Sequence, residues 1–501
     1  MRRVLEDGHC VNEAFCRLAV RLRHLLIDEF QDTSREQWET LLPLTLECLS
    51  RGGSVFYVGD VKQAIYGWRG GDARLFDEIL EDPEARAIVP RARKETLPFN
   101  WRSLPGVVDF NNRVFHALSR EETARRTASA LLQEAPGEYV EKLAGVLGNF
   151  YGDAFQKPPA DKKETGGWVT LRRLEAPNKT ALQEEVRKTL EDLLKDLSSR
   201  RPWGDTAILV RANEEASLVA RWCIEWDVPV VTENSLLLAE HPLVRQLTSM
   251  LAFLDYPLDD LAFWGFVQGE ELFLSTAGLS AGRLCEWLVE QREPGLYRAF
   301  RRDFPDEWSR WVEAFHRRAG LMTPYDTVRE IVEAYGLVRR YPRDELFLRR
   351  FLEVAHGAEE LGCQSLSTFL ELWKEKGGEE RVPLPEHVDA VRIMTIHKAK
   401  GLEFPVVVVP FHHWGRSPEG ELVPVQWPDG GEDRVLLAPL TKELERDYHE
   451  HCVRFATEDL NLLYVAWTRA VEELHGIITR TPHHERRSPL VRALDVLCQE
   501  Q

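Results

Sequence analysis

The sequence predicts an α/β protein built on parallel sheets, with a helical domain inserted between two parts of the second sheet. Short apolar runs, typical of buried parallel strands, alternate with stretches of helical periodicity near the start of the chain and again beyond residue 168. From 242 to 385 the chain is rich in Leu, Trp, Glu and Arg, with a helical period and few strand signals. We expect that stretch to form the helical insertion.

The first α/β unit is predicted to be a strand, a helix and a second strand. The runs LLIDEF (25–30) and SVFYVGD (54–60) are expected to form buried parallel strands. The helix between them, REQWETLLPLTLECL (35–49), follows Ser34, which can form a capping box with Gln37. Both strands end in acidic residues. Because open parallel sheets bind ligands at the carboxyl ends of their strands, we expect these acids to share one crevice.

Six further strands are expected in the second α/β region. They are WVTLRRL (168–174), TAILVR (206–211), VPVVTE (228–233), VRIMTIH (391–397), FPVVVVP (404–410) and HGIITR (475–480). A charged loop that contains Pro and Gly, FQKPPADKKETGG (155–167), precedes the first of them.

The composition indicates a folded protein without a global basic field. The chain has 501 residues, a formal net charge of −18 and 44 % hydrophobic residues, and an acidic total is still compatible with a local basic groove for nucleic acid. The eight cysteines include no C-x-x-C pair, and no apolar run is long enough to span a membrane. We therefore expect a cytoplasmic protein with reduced cysteines and no membrane partner.

The acids that end the first strand suit phosphoryl-transfer chemistry. Asp28 can hold Mg²⁺, and Glu29 can take a proton from an attacking water. Gln63, which follows the second strand, can orient that water or a terminal phosphate. Acid pairs also end strands simply as solvated polar residues, and for the pair alone this alternative stays open.

Aromatic and cationic side chains follow in two places. Tyr66, Trp68 and Arg69 form a patch that can stack on unpaired bases. Trp101 can stack on a purine, and Arg102 beside it can neutralise phosphate charge. The alternatives are a Gly-rich turn whose aromatic residues only pack, and a surface Arg beside a core Trp.

Two later stretches carry further polar side chains. In MTIHKAKGLEFPVVVVP, His397, Lys398 and Lys400 suit a phosphodiester backbone. Glu403 in the same stretch suits a ribose hydroxyl. Arg469, in the helical stretch EDLNLLYVAWTRAVEELHG, can project into a nucleotide cleft as an arginine finger.

Together these segments resemble the conserved motifs of UvrD-like helicases of superfamily one. In chain order they are similar to motif II (LIDEFQDTS), motif III (VGDVKQAIYGWRGGD), motif IV (LPFNWRS), motif V (TIHKAKGLEF) and motif VI (LLYVAWTRA). The segments GDVKQAIYGWRG and TIHKAKGLEFPVVVV most resemble those of the RecB and AddA branch, the helicase subunits of recombinational exonuclease complexes.

The resemblance implies an ATP-driven motor of DNA repair and recombination that moves 3′ to 5′ along single-stranded DNA. Its fold is the RecA-like P-loop NTPase architecture, with ATP and Mg²⁺ between two domains. The implied parts are the C-terminal part of the first RecA-like domain (1–95), the second RecA-like domain in two pieces (96–241 and 386–501) and a helical insertion (242–385).

The same resemblance implies a role for each motif residue. Asp28 would coordinate Mg²⁺ and Glu29 would activate water. The terminal phosphate of ATP would meet Gln63, Arg102 and Arg469. Trp101 would stack on adenine in place of the usual Tyr, and Glu403 would hold the ribose, with Gly401 in the same cofactor-binding loop. The residues implied to face DNA are Tyr66, Trp68, Arg69, Thr395, His397 and Lys398.

Two features of a full family member are not found in these residues. No G-x-x-x-x-G-K-[ST] loop is present to cradle phosphates, and no nuclease constellation follows motif VI. We therefore expect no nuclease activity, little ATP turnover by this chain alone, and a protein partner or N-terminal segment that supplies the loop. The alternative is a catalytically silent DNA-binding or scaffolding subunit of a helicase-nuclease complex.

Three histidine clusters are not expected to bind metal. FHHW (411–414), YHEHC (448–452) and PHHE (482–485) have spacings that fit no zinc pattern. We expect them to be surface clusters.

Overall fold

The computed structural model describes residues 22–89, 92–160, 166–232, 237–291, 295–382, 389–415, 417–427, 434–480 and 488–499. The chain divides into two compact units, one formed by residues 1–230 with 389–501 and the other by residues 231–388. Within the described ranges, no helix has both the length and the apolar character that a membrane crossing requires.

The first unit begins with the predicted strand-helix-strand motif. Strands β1 (His24–Ile27) and β2 (Ser54–Tyr57) pair in parallel. Helix α1 (Arg35–Ser50) joins them, and the predicted capping box between Ser34 and Gln37 is confirmed at its start.

The prediction that β1 and β2 are buried is wrong. Leu26 and Phe56 are neighbours in the register, and their side chains are 73 % and 61 % exposed. The other face of the pair packs on a small core around Phe30 and Trp38. The described residues add no further strand to this sheet and no helix over its second face, so apolar side chains that were expected to be covered contact solvent.

A six-stranded sheet forms the centre of the first unit. Its strands are β3 (Trp168–Glu175), β4 (Thr206–Val210), β5 (Val230–Thr232), β6 (Val391–Thr395), β7 (Phe404–Val409) and β10 (Ala470–Arg480), and a separate antiparallel hairpin consists of β8 (Leu422–Trp427) and β9 (Arg434–Pro439). The order of strands in the sheet is β3, β10, β7, β4, β6, β5, and the β10–β3, β10–β7, β4–β7 and β4–β6 pairs are parallel. All six predicted strands are confirmed, whereas the hairpin was not predicted.

Helices cover both faces of this sheet. Two short helices, α2 (Leu75–Glu78) and α3 (Pro83–Ile88), instead lie beside the β1–β2 motif. The remaining helices before the insertion are α4 (Pro105–Phe115), α5 (Glu121–Leu131), α6 (Gly137–Tyr151), α7 (Lys179–Ser198) and α8 (Asn213–Glu225). Along β7, Val407 and Val409 join the core under α4, α5 and α6, while Val406 and Val408 join the core under α7 and α8. This alternation in the central strand gives a layered α/β/α unit and confirms the predicted fold class.

The second unit is helical in the described ranges 237–291 and 295–382 and has its own core. Its helices are α9 (Pro242–Asp255), α10 (Asp260–Val267), α11 (Ser275–Ala277), α12 (Ala281–Glu290), α13 (Leu296–Asp303), α14 (Pro305–Glu307), α15 (Glu313–Arg318), α16 (Pro324–Ala334), α17 (Leu337–Arg340), α18 (Glu345–Glu360) and α19 (Leu366–Lys376). The buried apolar cluster of this unit draws only on residues 238 to 382. The predicted insertion, 242–385, lies inside the unit.

The chain then returns to the first unit. Its last helices are α20 (Ile396–Ala399), α21 (Glu445–Trp467) and α22 (Pro489–Gln499). Helix α21 is buried along its C-terminal half, and β10 begins only three residues after it ends. The residues that the motif pattern singled out end or follow β1, β2, β6 and α21, except Trp101 and Arg102, which lie in the loop before α4.

Candidate functional site

The acids after β1 sit on an unusual turn. Glu29 adopts φ 50° and ψ 40°, a left-handed conformation that is uncommon for a non-glycine residue. Its N–H donates to Oδ1 of Asp28 at 2.8 Å, and both carboxylates lie at the surface. Such conformations cost on the order of 1–3 kcal/mol and concentrate at functional sites.

Gln31 joins the ends of the two strands and was not singled out by the sequence. Its Nε2 donates to Oε2 of Glu29 at 2.6 Å, and its Oε1 accepts the N–H of Asp60 at 3.0 Å. A Cβ at Gly59 would overlap this same Oε1, so a larger residue there would displace the amide of Gln31 from this position. The expected crevice shared by the acids is therefore bridged by one buried amide.

Gln63 is held in one orientation by Asp60. Its Nε2 donates to Oδ2 of Asp60 at 3.1 Å, which leaves its Oε1 facing Arg469, whose Nη2 is 3.5 Å away. The other oxygen of Asp60 pairs with the buried Lys62 at 2.8 Å, and Lys62 also pairs with Asp153 at 2.9 Å. Burial alone would lower the pKa of Lys62, but the two carboxylates raise it, so the ammonium stays charged.

Two arginines converge near Gln63. Arg469 follows α21 and is 1 % exposed, with its guanidinium donating to the carbonyls of Val465 and Leu402. Burial and the nearby Arg102 lower its pKa to about 10, so it remains a cation at neutral pH. Arg102 pairs with Glu403 at 3.1 Å. Three residues predicted to meet a nucleotide, Arg102, Glu403 and Arg469, are thus gathered in one place.

Trp101 and Gly401 lie at the rim of this group. Trp101 is 68 % exposed and contacts the ring of Phe99, with ring centroids 6.4 Å apart, so the alternative of a core Trp is excluded. Gly401 has φ 83°, and a Cβ there would meet no atom within 4 Å. Its backbone conformation, rather than crowding, therefore favours glycine.

The aromatic and cationic patch of motif III lies against the start of α20. The hydroxyl of Tyr66 donates to the carbonyl oxygen of His397 at 3.0 Å, and the two rings are 6.0 Å apart. The guanidinium of Arg69 lies over the ring of Trp68 at 4.5 Å, and Trp68 is 53 % exposed. The patch thus presents an open aromatic face.

The remaining residues predicted to face DNA lie beside this patch. Thr395 ends β6, and Lys398 lies in α20, where burial lowers the pKa of its ammonium. Arg211, which follows β4, places Nη1 3.5 Å from Nδ1 of His397 and was not singled out from the sequence. Strand ends β4 and β6 therefore bring cationic side chains to one edge of the sheet.

Asn461, which was not predicted from the sequence either, holds motif III against α21 by hydrogen bonds. Its Nδ2 donates to the carbonyls of Val61 and Ala64 at 3.1 and 3.0 Å, and its Oδ1 accepts the hydroxyl of Tyr151 at 3.0 Å. Asn461 is 1 % exposed. Its position inside a helical run gives no sequence signal, because the partner carbonyls lie about 400 residues away in the chain.

The expectation that Lys400 contacts a phosphodiester backbone is wrong for this structure. Its side chain is only 6 % exposed, and its ammonium pairs with Asp32 and, at 3.4 Å, with Oε2 of Glu29. Lys400 is therefore buried beside the carboxylates of the site, whereas His397 and Lys398 lie on the other side of the same loop.

One of the three histidine clusters is structural and buried rather than superficial. Nδ1 of His412 lies 2.9 Å from the carbonyl oxygen of Ile477, and its Nε2 accepts the indole N–H of Trp467 at 3.1 Å. No group of three or more metal-ligating side chains occurs among the described residues. The cluster at 482–485 lies outside them.

Comparison with known proteins agrees with this geometry. Residues 3–84 match the UvrD/REP helicase N-terminal domain, and residues 344–481 match the UvrD-like helicase C-terminal domain. The chain is similar to the A-type subunit of the ATP-dependent helicase/nuclease of Lactococcus lactis subsp. lactis (26 % identity, 97 % of this chain, 42 % of the relative) and of Anoxybacillus flavithermus (25 %, 93 % and 41 %). The same-named protein of Oceanobacillus iheyensis is 26 % identical over 90 % of this chain and 39 % of the relative.

These relatives are much longer than the part that matches. The chain spans about two fifths of the length of each of them. The chain thus carries regions that match the N-terminal and the C-terminal domain of the UvrD-like helicases, and it is similar along most of its length to A-type subunits of ATP-dependent helicase/nucleases.

Proposed function

We propose that this chain is part of an ATP-driven DNA helicase that moves 3′ to 5′ along single-stranded DNA during repair and recombination. The observation that carries the proposal is one continuous network. Glu29, Gln63 and Arg469 suit a nucleotide, and Tyr66 and His397 suit a nucleic-acid strand. Hydrogen bonds, the ion pair of Lys400 with Glu29 and the contact of Lys400 with the Tyr66 ring connect the two groups, and the Tyr66 hydroxyl bonds the carbonyl of His397. A motor needs these two groups to respond to each other.

The residues present fit MgATP on the acid and arginine side. Asp28 offers an exposed carboxylate at a strand end, and Arg102 and Arg469 offer two cations near Gln63. When bound, MgATP supplies the phosphoanhydride bond whose hydrolysis drives the motor. Asp28 would hold the metal ion, Glu29 would take the proton of the attacking water, and the two arginines would neutralise phosphate charge.

The base and sugar of the nucleotide have candidate partners at the rim. Trp101 presents an exposed indole suited to stacking on adenine. Glu403, which pairs with Arg102 at 3.1 Å, would accept a hydrogen bond from a ribose hydroxyl. Gly401 keeps the adjoining loop in its left-handed turn and leaves space beside it.

We also propose that a further polypeptide segment supplies the phosphate-binding loop. The 501 residues contain no G-x-x-x-x-G-K-[ST] sequence. The uncovered face of the β1–β2 pair, with Leu26 and Phe56 exposed side by side, supports a partner segment at this sheet. It can belong to a partner chain or to an N-terminal extension.

This part of the proposal is tested by measuring ATP turnover of the purified chain with and without oligo(dT). Little turnover is expected in either condition, because no lysine and backbone cradle is available for the β and γ phosphates. A robust DNA-stimulated activity that Glu29→Gln abolishes would overturn the expectation and show that the chain hydrolyses ATP without help.

Strand binding is tested by the anisotropy of a fluorescent oligo(dT) titrated with the chain at increasing KCl concentration. If about four phosphates are neutralised, a fourfold rise in salt should weaken binding about fiftyfold. Trp68→Ala should weaken binding about five- to 150-fold through lost stacking.

Trp168→Ala is the matched control. Trp168 is also an exposed indole, but it begins β3 and therefore lies at the opposite edge of the sheet. Its loss should leave affinity unchanged. Equal effects of the two substitutions, or no detectable strand binding at low salt, would refute DNA binding by this surface.

A further inference from the structure

Lys400 lies at the junction of the two halves of the network. Its ammonium pairs with Asp32 and with Oε2 of Glu29, and it lies 5.3 Å from the centre of the Tyr66 ring. One buried cation therefore contacts the acid expected to act on water and the aromatic ring expected to meet DNA. The geometry of a cation over a ring face is attractive, and burial strengthens it.

The partly buried Asp32 has Lys400 as its ion-pair partner. Its Oδ1 is buried and has no hydrogen-bond partner among the described residues, and burial raises the pKa of its carboxyl while Lys400 opposes that rise. Lys400 is thus anchored in the first α/β motif although it belongs to the loop after β6. A buried charge pair of this kind is costly to break from either side.

Tyr66 connects Lys400 to the residues that are proposed to bind the DNA strand. Its hydroxyl donates to the carbonyl of His397, and its ring lies 6.3 Å from the ring of Trp68. Arg69 lies over both aromatic rings. A base that stacks on Tyr66 therefore acts on a ring that already lies against Lys400.

We propose that Lys400 is a positioning residue that couples strand binding at Tyr66 to the carboxylate of Glu29. In the structure Lys400 and Gln31 both engage that carboxylate. Strand binding that moves the Tyr66 ring loosens the contact between Lys400 and Glu29. The inference rests on the proposed function.

Linkage gives a test that needs no ATP hydrolysis. If a strand loosens the contact between Lys400 and Glu29, weakening that contact must in turn favour the strand. Glu29→Gln removes one of the two negative charges that hold Lys400, the one proposed to respond to the strand, so it should tighten oligo(dT) binding about threefold. In the Lys400→Met background the same substitution should change affinity by less than about 1.3-fold.

The experiment is a double-mutant cycle measured by oligo(dT) anisotropy at fixed salt, with each variant checked by its melting profile. The matched control cycle is Glu191→Gln with Lys195→Met, an exposed ion pair of α7 that carries the same two charges. That cycle should be additive, which separates a specific link from a general change in net charge. A purely structural role for Lys400 would alter melting without coupling to Glu29.

Each outcome decides one question. Additive effects of Glu29→Gln and Lys400→Met, with strand binding intact, would overturn the coupling and leave the proposed function standing. A wild-type chain that binds no oligo(dT) would overturn the proposed function itself. If Lys400→Met does not fold, Tyr66→Leu replaces it, because removal of the ring should also abolish the effect of Glu29→Gln; persistence of the threefold effect there would refute the link.

Discussion

His412 is a buried imidazole whose two nitrogens both have partners. The N–H of Trp467 donates to Nε2, so the proton of the neutral ring is on Nδ1, which donates to the carbonyl of Ile477. A second proton on Nε2 would face the indole N–H. Burial, the largest effect, lowers the pKa of His412 from 6.5 to about 4.

This pKa predicts an acid-sensitive stability. Between the unfolded pKa of 6.5 and the folded pKa of about 4, the unfolded chain binds a proton that the folded chain does not, so stability falls as pH falls through that window. From pH 7.5 to pH 5 the loss should be about 2 kcal/mol. Urea unfolding at the two pH values measures it. His412→Gln should reduce the pH dependence, whereas the surface variant His451→Gln should keep it.

Some contacts of individual site residues could not be predicted from the sequence. The motif pattern located Asp28 and Glu29, but it predicted neither the left-handed backbone of Glu29 nor the contacts of its carboxylate with Gln31 and Lys400. Lys400 stands in a run of basic residues, and that run by itself favours a phosphate backbone as its partner. Its carboxylate partners are 368 and 371 residues away in the chain, so local spacing carried no information about them.

At the scale of elements, the short segment Val61–Gln63 depends on α21 for its position. Asn461 supplies the hydrogen bonds, and Asp153 after α6 adds the ion pair to Lys62. The segment itself is a single turn with little apolar surface of its own. Gln63 is therefore placed by its neighbours rather than by its own secondary structure.

Asn461→Leu tests this dependence. The substitution keeps the side-chain size, removes three hydrogen bonds and leaves the hydroxyl of Tyr151 buried without its acceptor. We expect a loss of about 2–4 kcal/mol in the free energy of unfolding and weaker oligo(dT) binding. Asn149→Leu, on the exposed face of α6, should change stability by less than about 0.5 kcal/mol. Equal stability of both variants would contradict the assigned role of Asn461.

Elements with strong local patterns were predictable and those that depend on distant partners were not. The continuous apolar run of β7 and the capping box of α1 were both confirmed. The burial of β1 was wrong, because burial depends on what covers a strand, which the run LLIDEF does not encode. The β8–β9 hairpin was missed because Pro424 interrupts its first strand and obscures the alternating pattern.

At the scale of the whole molecule, the two compact units have separate cores. The helical unit buries Phe351 completely among its own residues, and the α/β unit does the same with Phe115. Phe351→Ala should therefore lower the stability of the helical unit by about 3–5 kcal/mol and shift one calorimetric transition only. Phe115→Ala should shift the other. A single transition that moves equally in both variants would show that the units unfold together.

The order of motifs along the chain predicted the fold class and which segments meet. It did not predict the strand order of the six-stranded sheet, in which β4 lies between β6 and β7. That order depends on long connections, including the entire helical unit between β5 and β6. Patterns within single segments do not specify which strands such connections bring side by side.

The most direct test of the proposed strand-binding surface is photocrosslinking to an oligo(dT) that carries bromodeoxyuridine, followed by tryptic peptide mapping. The peptide 63–69 holds Tyr66 and Trp68, and the peptide 393–398 holds Thr395 and His397. We expect adducts on both peptides that excess unlabelled oligo(dT) removes, because the strand should cross both segments. Adducts confined to the helical unit, or none on either peptide while the oligonucleotide is bound, would contradict the proposal.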